Sequence, residues 1–333
     1  MHRKVRIVLP CVLAALLAGH TAAWLAGTHY LRTAFDAWTA QRRAAGWEVE
    51  SAPPRRGGWP LAAALTVPDL ALAAGPANAP GRVAWHAERA VLSLSLQRPT
   101  VLDIDIAGAQ TLRLAPGPAL RFDAERTRIE APMIHGTSGP VGSLEVRTLR
   151  GEGLTIGLLT AQASAGASPA VSTSAEAIDL PASVTWPLGP HISSLAIDAT
   201  LHGGLPQPGA PAASAAAWRD AGGALEISHF ALGWGPLGVA ATARLELDGQ
   251  LQPEGTADLH LIGYAKALDA LAAQHWITRN AALAATAVLT LLARVPQDGG
   301  APEVEVPLGL REGKLSMGHM PLLKAPELRW SGE

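Results

Sequence analysis

From Gly46 onward, polar and apolar residues of this chain alternate with period two over most of its length, and that alternation confines it to sheet architecture. In VLDIDIAG, Leu102, Ile104 and Ile106 fall on one side of an extended backbone, Asp103 and Asp105 on the other. In VAATARLELDG, Val239, Ala241, Ala243, Leu245 and Leu247 oppose Ala240, Thr242, Arg244, Glu246 and Asp248. Leu195, Ile197 and Ala199 alternate with Asp198 and Thr200, and Leu259 and Leu261 with Asp258, His260 and Ile262. One apolar and one wet face per strand is the pattern of antiparallel sheets. Turn signals such as Ala107-Gly108, Pro116-Gly117-Pro118, Gly151-Glu152-Gly153, Asp248-Gly249 and Glu312-Gly313 recur at short intervals, so the strands read as a meander rather than as βαβ units.

Three segments depart from the pattern. Residues 162–177 and 203–217 are rich in Pro, Gly, Ser and Ala and read as flexible loops inserted in one β-rich domain, 46–333. Residues 265–294 are Ala/Leu-rich and read as two helices; the apolar part of the second, Ala281 to Ala293, is too short to span a bilayer and suits a cover over the sheet or a plug at its end. The third is the N-terminus. Arg3, Lys4 and Arg6 precede an uncharged run from Ile7 to Gly27, whose length at 1.5 Å per residue matches a bilayer core of about 30 Å.

The basic flank places residues 1–6 in the cytoplasm, 7–27 as a transmembrane anchor and the remainder across the inner membrane in the periplasm. A cleaved signal peptide is the competing reading. The run exceeds the usual apolar region of such peptides, and Thr21-Ala22-Ala23 is a mediocre cleavage site, so the uncleaved anchor is adopted. Beyond it, Leu31, Phe35 and Trp38 recur at helical spacing among Arg32, Asp36, Arg42 and Arg43, which extends the helix as an amphipathic stalk over 28–45. That stripe either lies on the membrane surface or packs on the following domain, and packing is the preferred reading.

The chemical motifs argue against catalysis. Gly233, Gly235 and Gly238 in LGWGPLG have the spacing of a dinucleotide-binding turn, but a strand rather than a helix follows, and Pro236 removes an N–H where phosphate would be held. A tight strand connection with Trp234 packed beside it explains those glycines better. The eleven histidines include no pair at helical metal-ligand spacing, and the single cysteine, Cys11, permits neither a disulfide within the chain nor a thiolate metal site. Neither a nucleophile elbow nor a P-loop is present. Asp103 and Asp105 share a strand face, but a solvated face explains them more simply. The expectation is a non-enzyme with no cofactor and no metal. A net charge of −2 leaves no footprint for nucleic acid, while a charged content of 16%, against about a quarter in ordinary soluble domains, leaves room for an apolar surface.

The anchor, the Gly58-Trp59-Pro60 lead into LAAALTVPDLAL, the Trp85-His86-Ala87 strand entry, the Trp218…Gly222-Gly223 strand start and the Gly233-Trp234-Gly235-Pro236-Leu237 turn together resemble a bacterial envelope family catalogued as domain of unknown function 2125. The family carries no assigned activity, so the resemblance implies no catalytic residues. More distantly, an inner-membrane anchor followed by a long amphipathic sheet is similar to AsmA-like envelope proteins, which resemble curved β-grooves associated with phospholipid traffic.

Taken together, these readings predict a mainly β protein: an N-terminal transmembrane helix, then a large antiparallel amphipathic sheet, either a curved groove or a sandwich, with two helices near 265–294. In the groove form Leu102, Ile104, Ile106, Val239, Leu245, Leu247, Leu259 and Leu261 make the lipid-binding face. The expected partners are the inner membrane and a phospholipid or other acyl-chain ligand. The alternative is an assembly or scaffolding protein that binds other envelope proteins.

Overall fold

The computed structural model describes residues 2–75, 82–115, 117–133, 139–204, 211–294, 301–318, 320–328 and 330, with the backbone alone for residues 2–12. Its sixteen described strands are mainly long, the described strand pairings are antiparallel, and four helices accompany them. The chain divides into two compact units, Met1–Ile134 with Leu144–Glu152, and His135–Ser143 with Gly153–Glu333.

The first unit begins with α1 (His2–Ala44), a single helix that carries both the apolar run and the stalk. Three residues after its end come β1 (Glu48–Glu50) and β2 (Arg55–Gly57), which lie end to end along one edge of β3 (Ala62–Ala74). β4 (Val83–Ser95), β5 (Val101–Leu114), β6 (Ala119–Pro132) and β7 (Gly139–Gly151, from Leu144 in this unit) continue the sheet in chain order. The register aligns side chains into rows across four strands. Leu65, Leu92, Ile104 and Ile129 form one row; Ala63, Leu94, Leu102 and Ala131 another; Val67, Ala90, Ile106 and Thr127 a third. All three rows are on one face, because residues two apart along a strand point the same way.

That face is covered by α1. Leu65 and Val67 have 0% exposure, and Leu31 and Phe35 of the helix are buried in the same core. Leu13 to Gly19 are exposed, and burial then recurs at His20, Trp24, Gly27 and Thr28, Leu31, Phe35, and Trp38 and Thr39. This is a one-sided helical stripe with a spacing of three to four residues. The stalk therefore packs on the sheet, and its contact face reaches back into the apolar run as far as His20. His20 Nε2 lies 2.6 Å from Pro60 O, and Trp24 Nε1 donates to Gly57 O at 3.0 Å. Among the described residues no helix is long and apolar enough to cross a membrane. The segment 1–6 and the start of the run, Ile7 to Val12, lie outside the described side chains.

The second unit contains β8 (Leu154–Ala165), β9 (Ala170–Asp179), β10 (His191–His202), α2 (Pro211–Asp220), β11 (Ala224–Trp234), β12 (Leu237–Leu247), β13 (Pro253–Ile262), α3 (Tyr264–Ala273), α4 (Arg279–Leu292), β14 (Glu303–Arg311), β15 (Lys314–Met317) and β16 (Met320–Lys324). From β8 to β16 each strand pairs with the next in sequence. The helices expected over 265–294 are present as α3 and α4. Thr278 caps the second by accepting from Ala281 N, which satisfies one of the free N–H groups of its first turn.

Two expected loops are structured. Residues 162–177 are the hairpin of β8 and β9, in register from Thr155↔Asp179 to Ser164↔Ala170. Small residues pair as well as large ones when every N–H and C=O finds a ladder partner, and the Thr160 and Ser174 hydroxyls add a cross-strand hydrogen bond of 2.8 Å. Within 203–217, residues 205–210 lie outside the described residues, while Pro211–Ala217 begin α2, whose Trp218 donates to His202 O at 2.9 Å. Compositional bias identified both stretches correctly as poor in large side chains. It could reveal neither the pairing of the first nor the helix that begins in the second.

Gly27 provides a direct test of the α1–sheet contact. A Cβ there would stand 2.7 Å from Ala63 Cβ. In an undocked helix Gly→Ala stabilises by about 1 kcal/mol. Here Gly27→Ala is expected to lower the first unit's stability, with overpacking in the range of about 1–3 kcal/mol outweighing that gain. Denaturant melts of the purified protein check the sign; a stabilised variant means the helix is not seated as described.

Candidate functional site

The stalk and the sheet do not fill all the space between them. A cavity of about 440 Å³ remains, walled by Tyr30, Leu31, Ala34, Phe35 and Trp38 of α1, Leu70 and Leu72 of β3, Trp85, Ala90 and Leu92 of β4, Leu102, Ile104 and Ile106 of β5, Ile129 of β6, and Met133. Small-molecule pockets run from about 300 to 1,000 Å³. The wall is mainly apolar and aromatic, with Tyr30 contributing a phenol.

The wall is built from two periodicities. The helix supplies residues 30, 31, 34, 35 and 38, adjacent on one face at 3.6 residues per turn, and the strands supply alternate residues of the aligned rows. Phe35 and Trp38 stack with centroids 6.0 Å apart, and Trp85 Nε1 donates to Gln110 Oε1 at 3.3 Å, which fixes the indole in the wall. On the same sheet face, the buried Thr127 Oγ1 has no hydrogen-bond partner among the described residues. Thr127 is not part of the cavity wall.

The opposite face of β5 and β6, expected to be wet, holds a charge network. Asp103 is 5% exposed and receives Arg98 at 3.3 Å; Arg98 also contacts Glu130 at 3.1 Å, and Arg128 contacts Asp105 at 3.3 Å. Asp103 is therefore a held structural carboxylate rather than a solvated one. The Arg98 guanidinium, chiefly through its side-chain hydrogen bonds, holds the Glu130 carboxyl below the usual range. At the sheet's other edge Arg82 does the same to Glu48. These shifts come from ion pairs between residues of different strands and their turns; Glu48 also lines a pocket of about 350 Å³ with Glu50, His86, Thr111 and Arg113.

The eight residues of the expected lipid-binding face separate into groups. Leu102, Ile104 and Ile106 meet in the cavity under α1. Leu245 and Leu247 line a trough of about 470 Å³ between α2 and β10 to β13, bordered by Trp218 and Trp330. Leu259 and Leu261 pack against the closed cluster of Tyr264, Val304 and Val306. Val239 pairs with Leu232 and Leu261 in the ladder. What alternation could not show was the helix: Leu31, Phe35 and Trp38, with Tyr30 and Ala34, form a third of the cavity wall, and their signal was the stripe read as a stalk.

LGWGPLG is a hairpin turn. β11 ends at Trp234, Gly235 takes a φ of 55°, β12 begins at Leu237, and Gly233 pairs with Gly238. Trp234 lies edge-on to Trp186 and donates to Gly189 O at 2.8 Å. With a strand on each side the glycines turn a ladder, as their sequence context indicated. Among the described residues, no group of three or more His, Cys, Asp or Glu side chains is placed to hold a metal ion.

A family model described as "Uncharacterized protein conserved in bacteria (DUF2125)" matches residues 24–326, a span that starts at the Trp24 contact and takes in both units. No curated protein matches the chain.

The charge network yields a pH prediction. Because the folded Glu130 pKa lies below the unfolded value of about 4.3, its contribution is fully present above that value and is lost as pH falls through the lowered folded pKa. Arg98→Gln is expected to lower the melting temperature at pH 7 and to show a narrowing deficit below about pH 4. A deficit that stays constant from pH 7 to pH 3 would mean that Arg98 acts through packing alone.

Proposed function

We propose that this chain, which belongs to the bacterial family of uncharacterized proteins DUF2125, is a non-catalytic, inner-membrane-anchored envelope protein whose first unit binds one acyl chain of a phospholipid between α1 and the sheet. The observation that carries this reading is the predominantly apolar cavity of about 440 Å³ under a helix that also contains the apolar N-terminal run. An apolar cavity of that size gains by taking up hydrocarbon at about 25 cal/mol per Å² of surface removed from water. The anchor reading draws on the basic flank Arg3, Lys4 and Arg6, on the uncharged run Ile7 to Gly27, and on the exposure of Leu13, Leu16 and Leu17 in the described helix. It places the bulk of the chain in the periplasm.

The geometry also bears on what binding would involve. His20 is where α1 meets the sheet, and the cavity begins at Tyr30, roughly 15 Å farther along the helix at 1.5 Å per residue. Because the sheet seats on α1 from His20 onward, only Ile7–Gly19 of the uncharged run is free to enter a bilayer, about 20 Å of helix, which a locally thinned bilayer accommodates; a chain in the cavity is withdrawn from that bilayer, which makes this a site for holding or passing on lipid.

One observation favours the second reading, envelope scaffolding. The last strand, β16, is exposed along its whole length, with Met320, Leu322 and Leu323 about half exposed, and among the described residues no strand pairs with its outer edge. An unpaired apolar edge is a template for strand addition by a partner protein.

Mass spectrometry of organic extracts from the purified full-length protein, after exhaustive detergent exchange, separates the two. Stoichiometric phospholipid is expected from the wild type. Ala34→Trp, which adds a large side chain from the exposed helix wall, should reduce it to background without changing the melt, while Leu245→Asp in the second unit should leave it in place. A lipid-free, monodisperse wild type sinks the carrier reading and leaves strand addition at β16 as the favoured function.

A further inference from the structure

The loop between β2 and β3 presents its largest apolar side chains to solvent. Trp59 is 51% exposed and Leu61 80%, although the turn itself is tightly held. Gly58 O accepts from Ala62 N at 2.9 Å, Pro60 O meets His20 Nε2, and Gly57 O accepts from Trp24 Nε1. Gly58 has a φ of 85°, and a Cβ there would stand 2.6 Å from Ala62 O, so the turn needs glycine at that position. With its carbonyls engaged by α1, the loop is fixed beside the helix, and its side chains project from a rigid support instead of folding back onto the sheet.

The neighbourhood is apolar and basic. The loop meets α1 at His20, directly after the exposed stretch containing Leu13, Leu16 and Leu17, and Leu25 is exposed one turn beyond. Arg55 and Arg56, just before the loop on β2, are both exposed, and neither has an ion pair among the described residues. Exposed tryptophan beside a membrane helix is the usual occupant of the bilayer interface, and unpaired arginines beside it suit anionic phosphate headgroups.

We propose that the Trp59–Leu61 loop, flanked by Arg55 and Arg56, is a second membrane contact that inserts into the headgroup region of an anionic phospholipid bilayer at the level of His20 and seats the first unit on that surface. The proposal rests on the reading of α1 as the anchor, but not on lipid occupancy of the cavity. Two attachments fix orientation where a single helix leaves the unit free to swing, so the loop sets how the face formed by β2 and β3 meets the bilayer.

Spin labels on single cysteines test this in the full-length protein, with Cys11→Ala as the background. Leu16→Cys reports on the helix, Leu61→Cys on the loop, and Leu114→Cys on the opposite end of the sheet, where β5 finishes. Each labelled protein is reconstituted into vesicles of phosphatidylglycerol and phosphatidylcholine, and the ratio of oxygen to nickel-chelate accessibility is read. The expected result is a ratio at Leu61 several-fold above that at Leu114 and below that at Leu16. Adding Arg55→Glu and Arg56→Glu should bring the Leu61 value down to that of Leu114 while leaving Leu16 unchanged. A lipid-like value at Leu16 with a water-like value at Leu61 overturns the loop contact and keeps the anchor. Water-like values at both positions overturn the anchor and the contact together. A Leu61 value indifferent to the charge reversals overturns the role of the arginines.

Discussion

The first unit depends on one contact, the docking of α1 across β3. A helix with Leu31 and Phe35 on one side and exposed residues on the other needs an apolar surface, and the sheet needs a cover for Leu65 and Val67. Burial of each such side chain is worth about 1.5–3 kcal/mol, so each element supplies what the other lacks. The same contact creates the cavity, because a cylinder laid on a sheet cannot touch every row at once. Where Ala34 and Ala90 face the gap instead of larger side chains, space remains.

The two faces of that sheet have different chemistry for one reason. Strand alternation sends Leu92, Ile104 and Ile129 toward the helix and Asp103, Asp105, Arg128 and Glu130 away from it. Clustered carboxylates would repel, and the arginines placed among them turn repulsion into cross-strand pairing. Arg98 is held above and Glu130 below its ordinary titration range, each chiefly by its hydrogen bonds with the other. That is the signature of a strand staple. Side chains tuned for proton transfer would need a cleft as well.

Tryptophans mark the ends of elements throughout. Trp24 bonds Gly57 O, Trp186 bonds Pro181 O, Trp218 bonds His202 O, Trp234 bonds Gly189 O and Trp330 bonds Leu251 O. In each case the indole N–H satisfies a carbonyl at a turn or strand end that no ladder reaches, while the ring covers apolar surface. This explains why the short Trp- and Gly-containing motifs of the family likeness are structural. They close turns, whereas the rings of Trp59 and Trp276 stand largely in solvent.

Period-two alternation was enough to establish strands, their antiparallel order and the LGWGPLG hairpin, because inward and outward side chains and turn residues are local properties of a chain. The helical stripe at Leu31, Phe35 and Trp38 was legible on the same grounds. Residues 162–177 were not, since ladder pairing depends on a partner strand and leaves no mark in small, polar composition. Nor could alternation separate Leu102, Ile104 and Ile106 from Leu259 and Leu261: both sets are apolar faces, and only what packs over them makes one a cavity and the other a filled core. The sequence by itself determined which side of each strand avoids water. Tertiary structure decided how much of that side is covered, because coverage depends on where a distant helix comes to rest, and no residue encodes that alone.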